Sequence, residues 1–159
     1  MRRSDRQVTD PQEILDIMHG CDVCYVAYFA DEYPYVVPLN FGVQLADGRF
    51  RLFFHGADAG TKMALLRKEP HVAFSMSGSH NYIPGGEDAC DATMEYESVC
   101  GNGTIRVVAE DEKIEALTSL MRQYEAADTY HFNPADVKHI AVLCLDVNEI
   151  TGKRLRRKG

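Results

Sequence analysis

The run Arg51-Leu52-Phe53-Phe54-His55-Gly56-Ala57-Asp58-Ala59-Gly60-Thr61-Lys62-Met63-Ala64-Leu65-Leu66 carries the residue types best suited to chemistry. Leu52 to Phe54 is a short apolar and aromatic stretch that suits a buried strand. Gly56 and Gly60 bracket a turn. Beyond it Asp58 is a candidate N-cap, and Met63, Leu65 and Leu66 offer a helix an inward face. The unpaired N–H groups of a helix N-terminus attract anions, and the hydroxyl of Thr61 and the ammonium of Lys62 fall in its first turn. Such a joint can bind a phosphate, although strand–turn–helix joints with Gly and Lys are also common without a ligand. His55 ends the strand beside this cluster. It could bond a ligand or exchange a proton near neutral pH, or merely close the strand.

Other constellations are weaker. Cys21-Asp22-Val23-Cys24 has redox spacing, but it enters a strand instead of opening a helix, so its thiols should point to opposite faces. No second Cys pair completes a zinc site, and no nucleophile elbow is visible, so no metal is expected.

The 159-residue chain fits one domain that can bury a core without disulfides. Its net charge of −7 argues against general nucleic-acid binding, with a basic tail at residues 153–159 as the local exception. That tail reads either as a solvated terminus or as a segment reaching an anionic ligand. No run approaches the roughly 20 apolar residues of a membrane span, and Met1-Arg2-Arg3-Ser4 precedes no signal-like apolar core. A cytoplasmic protein with its five cysteines reduced is expected.

The elements that must position these residues follow from pattern. Asp10-Pro11-Gln12-Glu13 forms a capping-box helix start, with Ile14, Leu15, Ile17 and Met18 inward and Gly20 as the stop. Strands are expected over 23–29 and 35–43, the second interrupted or placed at an edge by Pro38, which cannot donate to a ladder. At that interruption the backbone of Leu39, Asn40 and Phe41 could face a ligand. Asp47-Gly48 marks a turn, Val72 to Met76 a strand and Gly78 to Asp91 a long loop. One long strand, or two with a bulge, spans about 93–108 and a helix 110–124, with Ile114, Leu117, Leu120, Met121 and Tyr124 on its apolar stripe. His139 to Ile150 forms the last strand. Strands joined mostly by turns favour an antiparallel barrel with attached helices, an α+β fold.

Read together, the blocks Tyr33 to Phe41, Phe54-His55-Gly56-Ala57 with Gly60-Thr61-Lys62, Pro70 to Phe74, Tyr96-Glu97-Ser98-Val99 with Gly101-Asn102-Gly103, and Ile150 to Arg154 resemble the flavin-binding split-barrel superfamily related to pyridoxamine 5′-phosphate oxidase. Within it the chain is most similar to the nitroimidazole-resistance branch. The resemblance implies a six-stranded Greek-key split barrel that forms a homodimer with FMN at the subunit interface. It implies an oxidoreductase acting on a small molecule, with a non-catalytic flavin- or haem-binding carrier or sensor as the alternative. By the same resemblance Pro38, Leu39, Asn40 and Phe41 border the flavin ring, His55, Gly56 and Ala57 pass close to it, and Thr61 and Lys62 take its phosphate. Ser98 and Val99 approach from a neighbouring strand, and Lys153 or Arg154 adds positive charge. His55 is the implied catalytic residue.

Overall fold

A computed structural model describes residues 4–127 and 129–157. The first three residues, and Lys158 and Gly159 of the basic tail, lie outside that range. Eight antiparallel strands form one sheet: β1 (Gln7–Val8), β2 (Cys24–Tyr28), β3 (Tyr35–Leu39), β4 (Gly42–Ala46), β5 (Arg49–Gly56), β6 (His71–Ile83), β7 (Thr93–Val107) and β8 (Ala141–Leu155). Four helices accompany it: α1 (Pro11–His19), α2 (Thr61–Lys68), α3 (Lys113–Tyr124) and α4 (Pro134–Val137). None is long and apolar enough to cross a membrane.

The hydrogen-bonded path runs β3-β2-β6-β7-β8-β5-β4, with β1 beside β8. Its two ends are consecutive in sequence, since only Asn40 and Phe41 separate β3 from β4. A chain spans at most about 3.6 Å per residue, so this link brings the two edges of the sheet within roughly 11 Å of each other. The sheet must therefore curl into a barrel, yet β3 and β4 do not pair, and the barrel stays split. The expected 35–43 strand is thus two strands. Pro38 sits in β3, an edge strand paired only with β2, where its missing N–H is tolerated.

Inside the barrel, Cys24, Val26, Tyr28, Phe41, Leu52, Phe54, Phe74, Met76, Val99, Leu143 and Leu145 form one core with α1. A second cluster, including Phe53, Val108, Leu117, Val142 and Cys144, lies under α3 on the other face of β5 and β8. Asp10 caps α1 by accepting from the Glu13 N–H, as its sequence indicates, but the Glu13 carboxylate turns to Arg154 instead of closing the box. The Asp47-Gly48 turn has positive φ at both residues, which suits the β4–β5 hairpin.

Two boundaries and one helix face differ from expectation. Gly78 to Ile83 extends β6 instead of opening the loop, past a bulge at which Ser79 takes φ 53°. Asn81 to Ile83 pairs only with Thr93 to Glu95, and most of this arm is exposed, so no alternation of apolar residues announces it. β8 runs on to Leu155, so Lys153 and Arg154 are strand residues and not a solvated tail. On α3 the buried face is Lys113, Ala116, Leu117, Ser119 and Leu120, while Ile114 is 49% exposed and the Tyr124 ring is also largely outside. Ser119 explains the turn of the face: its hydroxyl donates to the Val43 carbonyl, and its backbone packs on Gly42.

Gly42 is where α3 closes on the barrel. A Cβ there would lie 2.4 Å from the Leu120 N and 2.5 Å from the Ser119 C, both backbone atoms. Gly42→Ala is therefore expected to destabilise by about 1–3 kcal/mol through overpacking, read as a lowered urea midpoint; an unchanged midpoint would contradict this packing.

The start of α3 is fixed by charge. Both nitrogens of the Arg106 fork donate to Glu112, whose carboxylate also accepts the Ala109 N–H. These bonds, the Arg106 one first, hold the Glu112 carboxyl down from 4.5 to about 2. A depressed carboxyl stabilises the fold fully above its unfolded pKa and loses that contribution as pH falls through its folded one. The difference in urea midpoint between wild type and Glu112→Gln should be constant above about pH 5 and close as pH falls towards 2. A difference independent of pH would show that the pair contributes nothing through ionisation.

Candidate functional site

The strand–turn–helix joint forms as the sequence suggests, with one correction. Asp58 is not the N-cap of α2. Gly60 holds that place, with φ 98° and no side-chain cap, and the helix begins at Thr61. A capping carboxylate would occupy the first-turn amides, so its absence leaves them open. Lys62 lies beside them, half-buried, its ammonium 2.6 Å from where a Cβ on Gly56 would stand. Only glycine at position 56 leaves that ammonium its place. Burial lowers the Lys62 pKa, and no carboxylate pairs with it among the described residues. A desolvated ammonium beside uncapped helix amides is an environment that a phosphate would satisfy. Thr61 is exposed at the same helix start, and Ala57 is exposed in the turn before it.

His55 sits next in sequence to Gly56 but on the opposite face of β5. Phe54 points into the barrel core and Phe53 into the cluster under α3, so alternation sends His55 outward, towards α3. There it borders a groove of about 260 Å³ with Leu117, Leu120, Met121, His131 and Phe132. Sequence reading missed this groove, because His131 and Phe132 lie in an irregular segment without periodicity. The Asn133-Pro134 dipeptide was the one local signal, and Asn133 does cap α4.

At the β3–β4 link, Pro38 and Asn40 are exposed and Leu39 is partly so. Phe41 is fully buried, and its N–H donates to the Tyr124 hydroxyl, which in turn donates to the Asp22 carbonyl. The structure therefore gives the Phe41 side chain and amide to the fold and not to a ligand. Val99 is likewise fully buried.

Ser98 and Lys153 are cross-strand partners on β7 and β8 and line an open groove of about 370 Å³ with Cys100, Asn102, Glu149 and Thr151. Of the two basic candidates, Arg154 is engaged by Glu97 and Glu13, whereas Lys153 meets no carboxylate among the described residues and lies over the Tyr96 ring.

The predicted residues thus form two groups. His55 and Gly56 pair with Val142 and Ala141 at one end of β8, and Ser98 pairs with Lys153 near the other. At about 3.3 Å per residue, roughly 35 Å of strand separates them. One chain does not bring the two groups together. A groove of about 910 Å³ lies elsewhere, along the β4–β5 hairpin and β8, lined by Asp47, Arg49, Arg51 and Asp146 among others.

The cysteines carry no visible chemistry. All five are free, burial pushes the Cys21 and Cys24 thiols up to about 11 and about 12, and no metal-binding cluster occurs among the described residues.

Comparison with known proteins agrees with this geometry. Residues 10–154 match the pyridoxamine 5′-phosphate oxidase family. A candidate 5-nitroimidazole antibiotic resistance protein of Bacteroides thetaiotaomicron is 30% identical, with 92% of this chain and 85% of that one covered and a TM-score of 0.78. The flavocytochrome Anf3 of Azotobacter vinelandii shares the fold at 19% identity, with 100% and 72% covered and a TM-score of 0.78. An FAD- and heme-binding protein of Mycobacterium smegmatis does so at 20% identity, with 96% and 74% covered and a TM-score of 0.78. No curated protein matches the chain. With the curled, unclosed antiparallel sheet, these matches establish that the chain belongs to the pyridoxamine 5′-phosphate oxidase family, within the flavin-binding split-barrel superfamily.

Proposed function

We propose that this protein is an FMN-dependent oxidoreductase of small molecules that works as a homodimer, with each flavin site shared between two chains. The observation that carries the reading is the half-buried Lys62 ammonium, without a carboxylate partner among the described residues, beside the uncapped start of α2. The residues present there fit a flavin phosphate: Lys62 supplies charge, Thr61 a hydroxyl and the first turn of α2 its amides. The exposed backbone at Pro38 to Asn40 and the turn at Gly56 and Ala57 border the ring in this reading. When bound, the flavin supplies electron transfer between a donor such as a reduced nicotinamide and an electron-poor acceptor. In this reading His55, exposed at a groove lined by Leu117, Met121 and Phe132, gives or takes the accompanying proton. The likeness to the Bacteroides protein makes nitroaromatic compounds the first acceptors to screen.

The dimer is supported by two features. Lys62 and Lys153 stand too far apart along the sheet to serve one cofactor from one chain, so a site using both draws them from two. The outer face of β3, β2, β6 and β7 carries Val36, Tyr25, Ala27, Ala73, Ser75, Ser77 and Cys100, largely exposed and either apolar or small. A face of that composition suits a second copy of the chain.

A visible absorption spectrum of the purified protein with added FMN tests the cofactor. Stoichiometric flavin bands, lost by at least about tenfold in affinity in a folded Lys62→Glu variant, are expected. Unchanged affinity would remove Lys62 from the phosphate site, and a Soret band in place of flavin bands would favour the haem-binding module. With FMN retained, His55→Gln should lower turnover by about 10²–10⁴.

For the dimer, Ala27→Arg places a charge in the uncovered face and should yield a folded monomer by sedimentation, with FMN affinity lost alongside. A variant that stays dimeric would place the interface elsewhere.

A further inference from the structure

The arm made of residues 81–83 of β6 and 93–95 of β7 has two unlike sides. On one side the Asn81 amide donates to Glu95, which also accepts the Arg157 N–H. On the other, Tyr82 and Met94 are cross-strand partners, 62% and 44% exposed. Alternation along β7 puts Met94 on the same face as Tyr96, Ser98 and Cys100, and Tyr82 shares that face as its partner. This is the outer face on which the dimer reading seats a second copy of the chain. Tyr96 in turn pairs with Leu155. The small residues of that face, among them Ser75 and Ser77, therefore give way to four large side chains where the arm begins.

The arm is held in place by its own bonds. Ser79 and His80 stand opposite Tyr96 alone, which makes a bulge, and the Ser79 hydroxyl donates to Glu97 there. A bulge bends its strand and re-aims the segment beyond it. At the tip Asp88 accepts the Cys90 N–H, and a Cβ on Gly85 would stand 2.1 Å from the Asp88 carbonyl oxygen, so the connection is folded tightly on itself. A two-stranded ribbon is marginal in water without cover. Tyrosine and methionine are enriched in the cores of interfaces, whereas serine and alanine are depleted. The apolar side of the arm thus supplies large anchors that most of the strand face lacks.

We propose that the arm of each chain packs on a second copy of the chain, with Tyr82 and Met94 as anchors of that contact and as a wall of the other chain's substrate site. The proposal rests on the dimer reading above and extends it. Lys153, which that reading lends to the other chain's site, pairs with Ser98. Met94 lies four residues along β7 from Ser98 on the same face, about 13 Å at strand spacing. The arm is therefore the next part of the same surface to meet whatever the shared site holds.

Photo-cross-linking reads the contact directly. Tyr82 is replaced by p-benzoylphenylalanine, and unlabelled chains are refolded from urea together with heavy-isotope-labelled ones, so that mixed-label peptides report links between chains. Sedimentation of the same sample gives its oligomeric state. A dimer is expected, with mixed-label links from residue 82 to peptides holding residues 36–41 or 55–62. A dimer whose links stay within one chain, or that forms none, overturns the arm contact and leaves the dimer reading intact. Mixed-label links confined to other peptides overturn the wall. A monomer overturns both the arm contact and the dimer reading. The expected links in protein that binds no FMN support the arm and count only against the cofactor. The double substitution Tyr82→Ala, Met94→Ala removes two exposed side chains, so the far-UV circular dichroism should hold while the dimer dissociation constant rises about tenfold or more. An unchanged dissociation constant overturns their role as anchors.

Discussion

The two-residue link between β3 and β4 constrains everything else in the molecule. It joins strands that stand at opposite ends of the hydrogen-bonded path, so the sheet can be built only if it curls until those ends meet. The link is held from three sides. Phe41 buries its ring in the barrel, its N–H reaches Tyr124 on α3, and Tyr124 ties in turn to the Asp22 carbonyl before β2. Directly after the link, Gly42 admits the α3 backbone at a distance no side chain permits. The split in the barrel, the position of α3 and the groove beside His55 thus share one cause.

Charge is arranged on the curled sheet with a clear division. Several cations are neutralised: Arg106 by Glu112 and Asp146, Arg154 by Glu97 and Glu13, Lys113 by Glu110. Pairs such as these are worth little individually when exposed, and their effect here is to fix geometry. Lys62 and Lys153 depart from the pattern. One is desolvated over a glycine and the other lies over an aromatic ring, each without a carboxylate among the described residues.

The elements with a strong local signal were legible in the sequence. α1 showed its cap and apolar face, β5 its run of Leu52 to Phe54, and the Asp47-Gly48 hairpin its turn residues. Where burial is absent or tertiary contacts set the phase, pattern failed. The outer arm of β6 is mostly exposed, so polar residues made a strand look like a loop. On α3, one polar residue buried against Val43 rotated the inward face away from Ile114.

The same distinction runs through the site. Sequence alone determined that Thr61 and Lys62 would stand at a helix start after a glycine turn, because local spacing and turn chemistry fix that geometry. It also determined that Pro38 would mark an edge, a bulge or an interruption, because proline lacks a donor in any context. Tertiary structure alone decided that Gly60 and not Asp58 would head α2, leaving the helix amides open. It sent His55 to the opposite face from Lys62, withdrew Phe41 and Val99 into the core, and set Ser98 and Lys153 at the far end of β8. The reason is the curl of the sheet: residues close in a motif are distributed over two faces and two ends of a barrel, and which of them meet depends on contacts far apart in sequence.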